Sequence, residues 1–136
     1  MGKAAEVVKR YVELYSDGTP EDYGSFRFLE IFAPDIDWVE MPTIFNPAGR
    51  KGNRETVQEA VKESRKFLLN RKLEISELIE EGLVAAWMGT WSATIGIDGL
   101  EIPLGSRVRI KMATFTEVSN DLIIRQYEYL TASEII

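Results

Sequence analysis

The 136-residue sequence contains neither cysteine nor histidine. The missing cysteine excludes thiol nucleophiles, disulfides and thiolate metal sites, and it is compatible with a reducing compartment. The missing histidine removes the side chain most often used for proton transfer near neutral pH, which is also the commonest zinc ligand. Any acid or base in this protein is therefore a carboxylate, a lysine or a tyrosine. We expect no metal and no cofactor.

Positive charge is also scarce, since 16 basic residues stand against 22 acidic ones and the net charge is −6. A surface with this average charge repels nucleic-acid phosphates and anionic lipid headgroups. Long apolar runs are missing too: the longest uncharged stretch, residues 82–97, is too short to span a bilayer, and the N-terminus lacks the apolar core of a signal peptide. We expect a cytoplasmic protein with no nucleic-acid partner and no membrane partner.

The first half of the sequence shows helical periodicity. Apolar residues recur at helical spacing between residues 4 and 16, namely Val7, Val8, Tyr11, Val12 and Tyr15. The pair Thr19-Pro20 is typical of a helix start and predicts a second helix that ends before Pro34. This helix should bury Phe28, Leu29, Ile31 and Phe32. Asn53 is the predicted N-cap of a third helix that continues to about Asn70.

The remainder is typical of strands and turns. Residues 37–41 read as a short strand and residues 43–52, which contain Pro47, Gly49 and Gly52, read as a loop. Four longer strands are predicted over residues 72–79, 83–97, 104–118 and 122–131. Helices followed by a meander of strands predict one α+β domain over residues 1–136, with the helices on one face of an antiparallel sheet.

The order and local sequence of these elements resemble the SnoaL-like polyketide cyclases and the ketosteroid isomerases of the nuclear-transport-factor-two-like superfamily. The matching segments are Val7-Val8-Lys9-Arg10-Tyr11-Val12, Phe32-Ala33-Pro34-Asp35-Ile36-Asp37-Trp38-Val39-Glu40 and Phe115-Thr116-Glu117-Val118. The resemblance implies a cone-shaped curved antiparallel sheet with three helices in the N-terminal half, a cystatin-like roll that encloses a pocket. It also implies a small, largely apolar organic ligand and a homodimer paired through the outer face of the sheet.

The resemblance further suggests site residues. Glu40 falls where the isomerases have their proton-shuttling aspartate, Tyr11 matches their helix-one tyrosine, and Ala113 falls on their second oxyanion donor. Limonene epoxide hydrolases share the fold. Their water-holding tyrosine falls on Trp38 and their arginine on Met88. Their two aspartates fall on Thr90 and Glu128. The acid–base aspartate of the polyketide cyclases falls near Glu128 or Thr131.

Strand alternation then adds neighbours to this set. If Ala113 lines the pocket, the same face carries Arg107, Arg109, Lys111 and Phe115. The opposite reading is that these basic residues face solvent and that Val108, Ile110 and Met112 form the buried side. Gln126 shares a face with Glu128, and Trp38 shares one with Glu40.

Two functions are compatible with these candidates. The first is a cofactor-free isomerase, cyclase or hydrolase in which Glu40 transfers a proton, Glu128 is the second acid, and Tyr11 or Lys111 polarises the substrate. The binding residues would be Trp38, Arg109, Lys111, Ala113, Phe115, Gln126, Met88 and Thr90. The second is a non-catalytic ligand-binding or dimerisation module. Trp87 and Trp91 are assigned to the core or, with Val108, to the dimer interface rather than to the pocket.

Overall fold

The structure is a computed structural model that describes residues 2–16, 23–44 and 46–136. It contains the helices α1 (Lys3–Ser16) and α2 (Arg54–Ser64) and a 3-10 helix (Tyr23–Ile31). The strands are β1 (Phe32–Glu40), β2 (Arg50–Gly52), β3 (Leu68–Glu81), β4 (Val84–Ile95), β5 (Arg107–Ser119), β6 (Leu122–Leu130) and β7 (Glu134–Ile135). Helices α1 and α2 pack on one face of the curved sheet, which confirms the α+β class.

The strands form one sheet in the order β2-β1-β6-β5-β4-β3, with β7 beside β5. The pairings β3–β4, β4–β5 and β5–β6 are antiparallel, as predicted. The short strands β2 and β7, which were not predicted, pair antiparallel with β1 and β5. The pairing of β1 with β6 is parallel, which the sequence did not indicate. No tight turn joins these two strands, so their relative direction is not fixed by a hairpin.

Helix α1 begins within one residue of its predicted start and covers the concave face of the sheet. Val7, Val8 and Tyr11 of its apolar stripe are buried, and Val12 and Tyr15 are half-buried. Backbone N–H groups of Gly2 and Ala5 donate to the Glu80 carboxylate at 2.6 and 2.9 Å, which gives partners to donors at the start of the helix. These bonds lower the pKa of Glu80 and fasten α1 to the far end of β3.

The second helix differs from its prediction in type and in its end. Its predicted start at Thr19-Pro20 lies outside the described residues, and the segment that follows is a 3-10 helix rather than an α-helix. Phe28, Leu29, Ile31 and Phe32 are buried as predicted. Strand β1 begins at Phe32 and not at residue 37, and it contains Pro34. The β1–β6 register shifts between Phe32 and Asp37, so the proline, which has no N–H, falls where the regular ladder is interrupted.

Helix α2 begins as predicted but ends earlier. Asn53 accepts a hydrogen bond from the Thr56 N–H, and Thr56 accepts one from the Asn53 N–H in return, a reciprocal cap. The helix stops at Ser64, whose hydroxyl donates to the Ala60 carbonyl oxygen. Leu68 already belongs to β3, where it pairs with Ile95 of β4, and its side chain packs with Ala93 and Ile95 in a second, smaller core.

The prediction of β5 left two faces open, and burial decides between them. Val108, Ile110, Met112, Thr114 and Thr116 alternate along the buried, concave face. The strand–strand register extends that face to Trp87 and Trp91 on β4 and to Gln126 and Glu128 on β6. The concave face therefore combines an apolar core with buried polar side chains from the last two long strands.

Candidate functional site

A cavity of about 120 Å³ lies between the concave face of the sheet, α1, the 3-10 helix and α2. Seven aromatic side chains supply much of its wall: Tyr11, Tyr15, Phe28, Phe32, Trp38, Phe67 and Trp91. An apolar protein cavity of about 150 Å³ holds a benzene molecule, so this space accepts a group of roughly one ring. Glu40, Glu128, Arg50 and Arg71 supply the charged part of the lining.

Glu128 is the most enclosed acid of the cavity, with 8% of its surface exposed. Its Oε2 atom accepts hydrogen bonds from Trp38 Nε1 and from Gln126 Nε2, each at 3.1 Å. Within the described part of the chain, Oε1 accepts none. The two donors hold the carboxyl group in one orientation and leave the second oxygen available to a proton or a ligand.

A buried chain of hydrogen bonds fixes the amide that holds Glu128. Trp87 Nε1 donates to Thr116 Oγ1 at 3.1 Å, and Thr116 Oγ1 donates to Gln126 Oε1 at 3.0 Å. Because an indole N–H can only donate, the threonine hydroxyl is directed toward the amide oxygen. The Gln126 NH₂ group is consequently turned toward Glu128.

The pKa of Glu128 is raised to about 7. Burial is the largest cause, because it penalises the charged form, and the negative charge of Glu40 raises the pKa further. The hydrogen bonds from Gln126 and Trp38 and the charge of Arg50 act in the opposite direction. A carboxyl group with this pKa can both take up and release a proton near neutral pH.

Glu40 lies beside Glu128, because the parallel register places the two residues opposite each other on β1 and β6. On its other side Glu40 is paired with Arg50 of β2, and the Arg50 Nε atom lies 3.6 Å from Glu40 Oε1. Burial raises the pKa of Glu40, while the charges of Arg50 and Arg71 lower it. Glu40 is thus an ion-paired acid, and Glu128 is the one whose pKa lies near neutrality.

Tyr11 lies within an aromatic cluster of the cavity wall. Its ring stacks on Phe32 with centroids 5.5 Å apart and meets Phe28 edge-on at 5.8 Å. Burial raises its pKa well above the ordinary value, the charge of Glu128 adds to the rise, and a hydrogen bond with Gln126 opposes it. The phenol therefore stays protonated at neutral pH and is available as a donor.

The sequence-based candidates Glu40, Glu128, Tyr11 and Trp38 all line this cavity. Gln126 is fully buried and reaches it through Glu128. Five of the residues predicted from the sequence, from α1, β1 and β6, are therefore close together in the structure.

The expectation that basic side chains of β5 point into the pocket is wrong. Lys111 and Ala113 are exposed and Phe115 is half-buried, all on the outer face of the sheet. Arg109 lies on that face too and binds Glu134 of β7 with an Nε–Oε1 distance of 2.8 Å. The reading in which Val108, Ile110 and Met112 are the buried side is confirmed.

Met88 and Thr90 also lie on the outer face, because the register pairs them with Ala113 and Lys111. Conversely, Trp87 and Val108 are buried and contribute no outer surface, which corrects their assignment to a dimer interface. Trp91 faces the cavity, and its Nε1 donates to the Tyr15 hydroxyl at 2.7 Å. Because successive side chains of a strand point to opposite faces, the burial of Trp87 places the side chains of residues 88 and 90 on the outer face.

Sequence reasoning missed the two arginines of the cavity. Arg50 is on the short strand β2, in a segment predicted as loop, and Arg71 is on β3, between the predicted end of the third helix at about Asn70 and the predicted start of a strand at residue 72. Arg71 Nε donates to the Leu68 carbonyl oxygen at 3.1 Å, and Nη2 donates to Ser64 Oγ at 2.5 Å. No periodic pattern marks either residue.

Over the described ranges, no group of three acidic side chains is close enough to hold a metal ion. In the same ranges, no helix is long and apolar enough to cross a membrane.

Neither a protein-family model nor the sequence of a curated protein matches this chain. Several solved structures do match this chain. IdmH of Streptomyces antibioticus, a proposed polyketide cyclase, has a TM-score of 0.76 at 16% identity, with 95% of this chain and 92% of that one covered. An NTF2-like protein of unknown function from Burkholderia pseudomallei has a TM-score of 0.71 at 17% identity, with 96% and 92% covered.

A third neighbour is a hypothetical protein of ketosteroid isomerase-like fold from Catenulispora acidiphila, solved in complex with trimethylamine. It has a TM-score of 0.67 at 17% identity, with 91% of this chain and 84% of that one covered. The three neighbours differ in their descriptions and agree in their architecture. The chain therefore has the cone fold of the nuclear-transport-factor-two-like proteins, to which the SnoaL-like polyketide cyclases and the ketosteroid isomerases belong.

Proposed function

We propose that this protein is a cofactor-free enzyme that moves a proton at a carbon next to a carbonyl group, in a small molecule held in the cavity. The observation that carries the proposal is Glu128, a buried carboxyl group with a pKa of about 7 and one oxygen unoccupied by hydrogen bonds from the described residues. The likeness to a proposed polyketide cyclase and to a ketosteroid isomerase-like fold supports this class of reaction.

In the proposed reaction the Glu128 carboxylate removes a proton from the carbon, and the electrons of the broken C–H bond form an enolate. The Tyr11 hydroxyl donates a hydrogen bond to the enolate oxygen, which stabilises the developing charge. Glu128 then returns the proton to another carbon in an isomerisation, or the enolate carbon attacks a second carbonyl in a cyclisation. Glu40 keeps a negative charge beside Glu128 and so maintains the basicity of the catalytic group.

Exchange of carbon-bound hydrogen for deuterium tests this proposal without knowledge of the natural substrate. The wild-type protein should accelerate exchange at the acidic carbon of ring-sized cyclic ketones and diketones in D₂O by about 10²-fold or more over buffer. Glu128→Gln should abolish the acceleration, and Glu40→Gln should lower it. Glu117→Gln is the matched control, because Glu117 is on the outer face, where it pairs with Arg125. Undiminished exchange in Glu128→Gln would contradict the proposal.

A second candidate function is non-catalytic binding. The ion pair between Glu40 and Arg50 favours non-catalytic binding, because a carboxylate that is paired with a guanidinium group contributes less to proton transfer. Ligand binding without acceleration of exchange on any ketone would support this alternative.

The outer face of the sheet supports a homodimer. Met88 and Tyr129 are 46% and 50% exposed, and the register places both beside Ala113 in a row across β4, β5 and β6. Phe115 and Tyr127 form the adjacent row. We infer that this apolar strip is the contact surface between two copies of the chain.

Light scattering should therefore give twice the chain mass of 15.5 kDa at micromolar concentration. Met88→Glu should shift the protein to the monomer, because it places a charge within the apolar strip. Leu104→Glu is the control, since Leu104 is 53% exposed in the loop before β5, away from the strip. A monomeric wild-type protein would rule out this interface.

A further inference from the structure

The side-chain amide of Gln126 bonds to both groups that act in the proposed reaction. Its Nε2 atom donates to Glu128 Oε2 at 3.1 Å, and Gln126 also forms a hydrogen bond with the Tyr11 hydroxyl. A glutamine NH₂ group carries two hydrogens, so it can serve both partners at once. Tyr11 and Glu128 line the cavity, and Gln126 is fully buried behind them.

The direction of these bonds is set from the core side of the amide. The Trp87 indole can only donate, so the Thr116 hydroxyl that accepts from it donates onward to Gln126 Oε1. The amide oxygen is thereby directed to Thr116, which leaves the NH₂ group for the two cavity residues. The bond to Tyr11 accordingly lowers the pKa of the phenol, as a donor to the phenol oxygen does.

Both cavity residues keep their reactive atoms for a ligand. Glu128 Oε2 accepts from Trp38 and from Gln126, one bond for each of its two lone pairs, so the proton of the neutral acid is carried by Oε1. The Tyr11 oxygen accepts from Gln126, so the hydrogen of the phenol points away from the amide and can be donated. A base oxygen and a donor hydrogen are thus held through one amide.

We propose that Gln126 is a positioning residue, whose NH₂ group aligns the Glu128 base and the Tyr11 donor on one substrate. The inference rests on the proposed function for its effect on catalysis, and on the hydrogen bonds alone for its effect on Glu128. Apolar side chains would fill this part of the core without desolvation, whereas a buried polar chain is tolerated only when it is fully hydrogen-bonded. The Gln126 amide uses its oxygen and both N–H groups, so the alignment exists before a substrate binds.

The wild-type protein tests the bond between Gln126 and Glu128 directly. The two side-chain N–H protons of Gln126 are followed by NMR from pH 5 to pH 9. Loss of the proton from Glu128 strengthens the bond to Oε2, so one of the two resonances should shift with a midpoint of about 7. The side chain of Gln58, half-buried on α2, is the control and should not follow this midpoint. Gln126 protons that do not move over this range would overturn the inference.

Gln126→Met removes both donors and keeps the length of the side chain. The titration midpoint of the Glu128 carboxyl group, measured by NMR, should rise, because a donor to the charged form is lost. In the exchange assay with cyclohexanone, kcat should fall by about 10- to 100-fold with little change in KM, since the lost bonds act on the developing charge. Thr116→Val should raise the midpoint too, and Thr116→Ser, which keeps the hydroxyl, should restore it. Gln58→Met is the matched control and should change neither quantity.

The outcomes separate this inference from the proposed function. An unchanged Glu128 midpoint in folded Gln126→Met would overturn the positioning role, while loss of exchange in Glu128→Gln would still support the reaction. A wild-type protein without exchange activity, whose Glu128 midpoint rises in Gln126→Met, would overturn the reaction and keep the alignment. Glu40 and Arg50, which also act on Glu128, are retained in every variant. If thermal melts show that Gln126→Met is not folded, the Thr116 variants and the wild-type titration decide the question.

Discussion

Replacing Glu128 with glutamine is expected to abolish proton transfer and, above pH 7, to make the folded protein more stable than the wild type. In the folded wild type the pKa of Glu128 is raised from its ordinary value of 4.5 to about 7, chiefly by burial. The unfolded chain releases this proton near the ordinary value. Glutamine resembles the protonated form in shape and carries no charge to desolvate, so the variant escapes the penalty of ionisation.

The direction of the pH dependence follows from proton linkage. Between about pH 4.5 and pH 7 the folded wild type binds more protons than the unfolded chain, so the free energy of unfolding falls as pH rises. The contribution of Glu128 is fully present below the unfolded pKa and is lost as pH passes the folded pKa, a change of about 3 kcal/mol. The pKa of Glu40 is raised as well, and it acts in the same direction.

Urea unfolding of both proteins at pH 5 and pH 8 measures this effect. The wild type should lose stability between the two values, and Glu128→Gln should lose much less. Glu59→Gln serves as the control, because Glu59 is on the exposed side of α2, and it should retain the wild-type dependence. A wild-type protein whose stability rises from pH 5 to pH 8 would show that Glu128 is not held in its neutral form.

Thr116→Val should destabilise the protein by about 2–4 kcal/mol, although it keeps the shape of the side chain. The hydroxyl accepts from Trp87 Nε1 and donates to Gln126 Oε1, and all three groups are buried. Valine leaves the indole N–H and the amide oxygen without partners, and each unsatisfied buried group costs about 1–3 kcal/mol. The freed amide can rotate, so the hydrogen bond to Glu128 also weakens.

Thr114→Val is a matched comparison on the same face of the same strand. Thr114 is buried, and its hydroxyl has no hydrogen-bond partner among the described residues. Removing an unsatisfied hydroxyl should be neutral or stabilising by up to about 1 kcal/mol. Urea midpoints of the two variants should therefore move in opposite directions, or only that of Thr116→Val should move. Equal destabilisation would show that the hydrogen-bond chain has no special role.

The sequence predicted the parts of the fold that depend on local pattern. Helix α1, the reciprocal cap at Asn53 and the long strands follow from apolar spacing and turn residues. Glu40 and Glu128 were brought to one face by resemblance and by alternation, and the structure places both in the cavity wall. The helix, the cap and the strands were predictable because each concerns neighbours along one element, whereas the placement of Glu40 and Glu128 came from the resemblance.

The rest depends on tertiary contacts. Both faces of β5 contain residues that a pocket could use, and only the packing of α1 against the sheet decides which face is buried. Arg50 and Arg71 reach the cavity because β2 pairs with β1 and because α2 ends at Ser64. Neither feature produces a periodic pattern in the local sequence. The parallel pairing of β1 with β6 is likewise set by distant packing.

That parallel pairing also has a consequence for how the protein folds. Trp38 Nε1 and Glu128 Oε2 are joined across 90 residues of chain, and Glu40 meets Glu128 through the same two strands. Closing so long a loop is entropically unfavourable until most of the intervening structure has formed, and proteins rich in such distant pairings fold slowly. The two acids are therefore apart in the unfolded chain, each with an ordinary solvated carboxyl group, and the raised pKa of Glu128 is a property of the folded state alone.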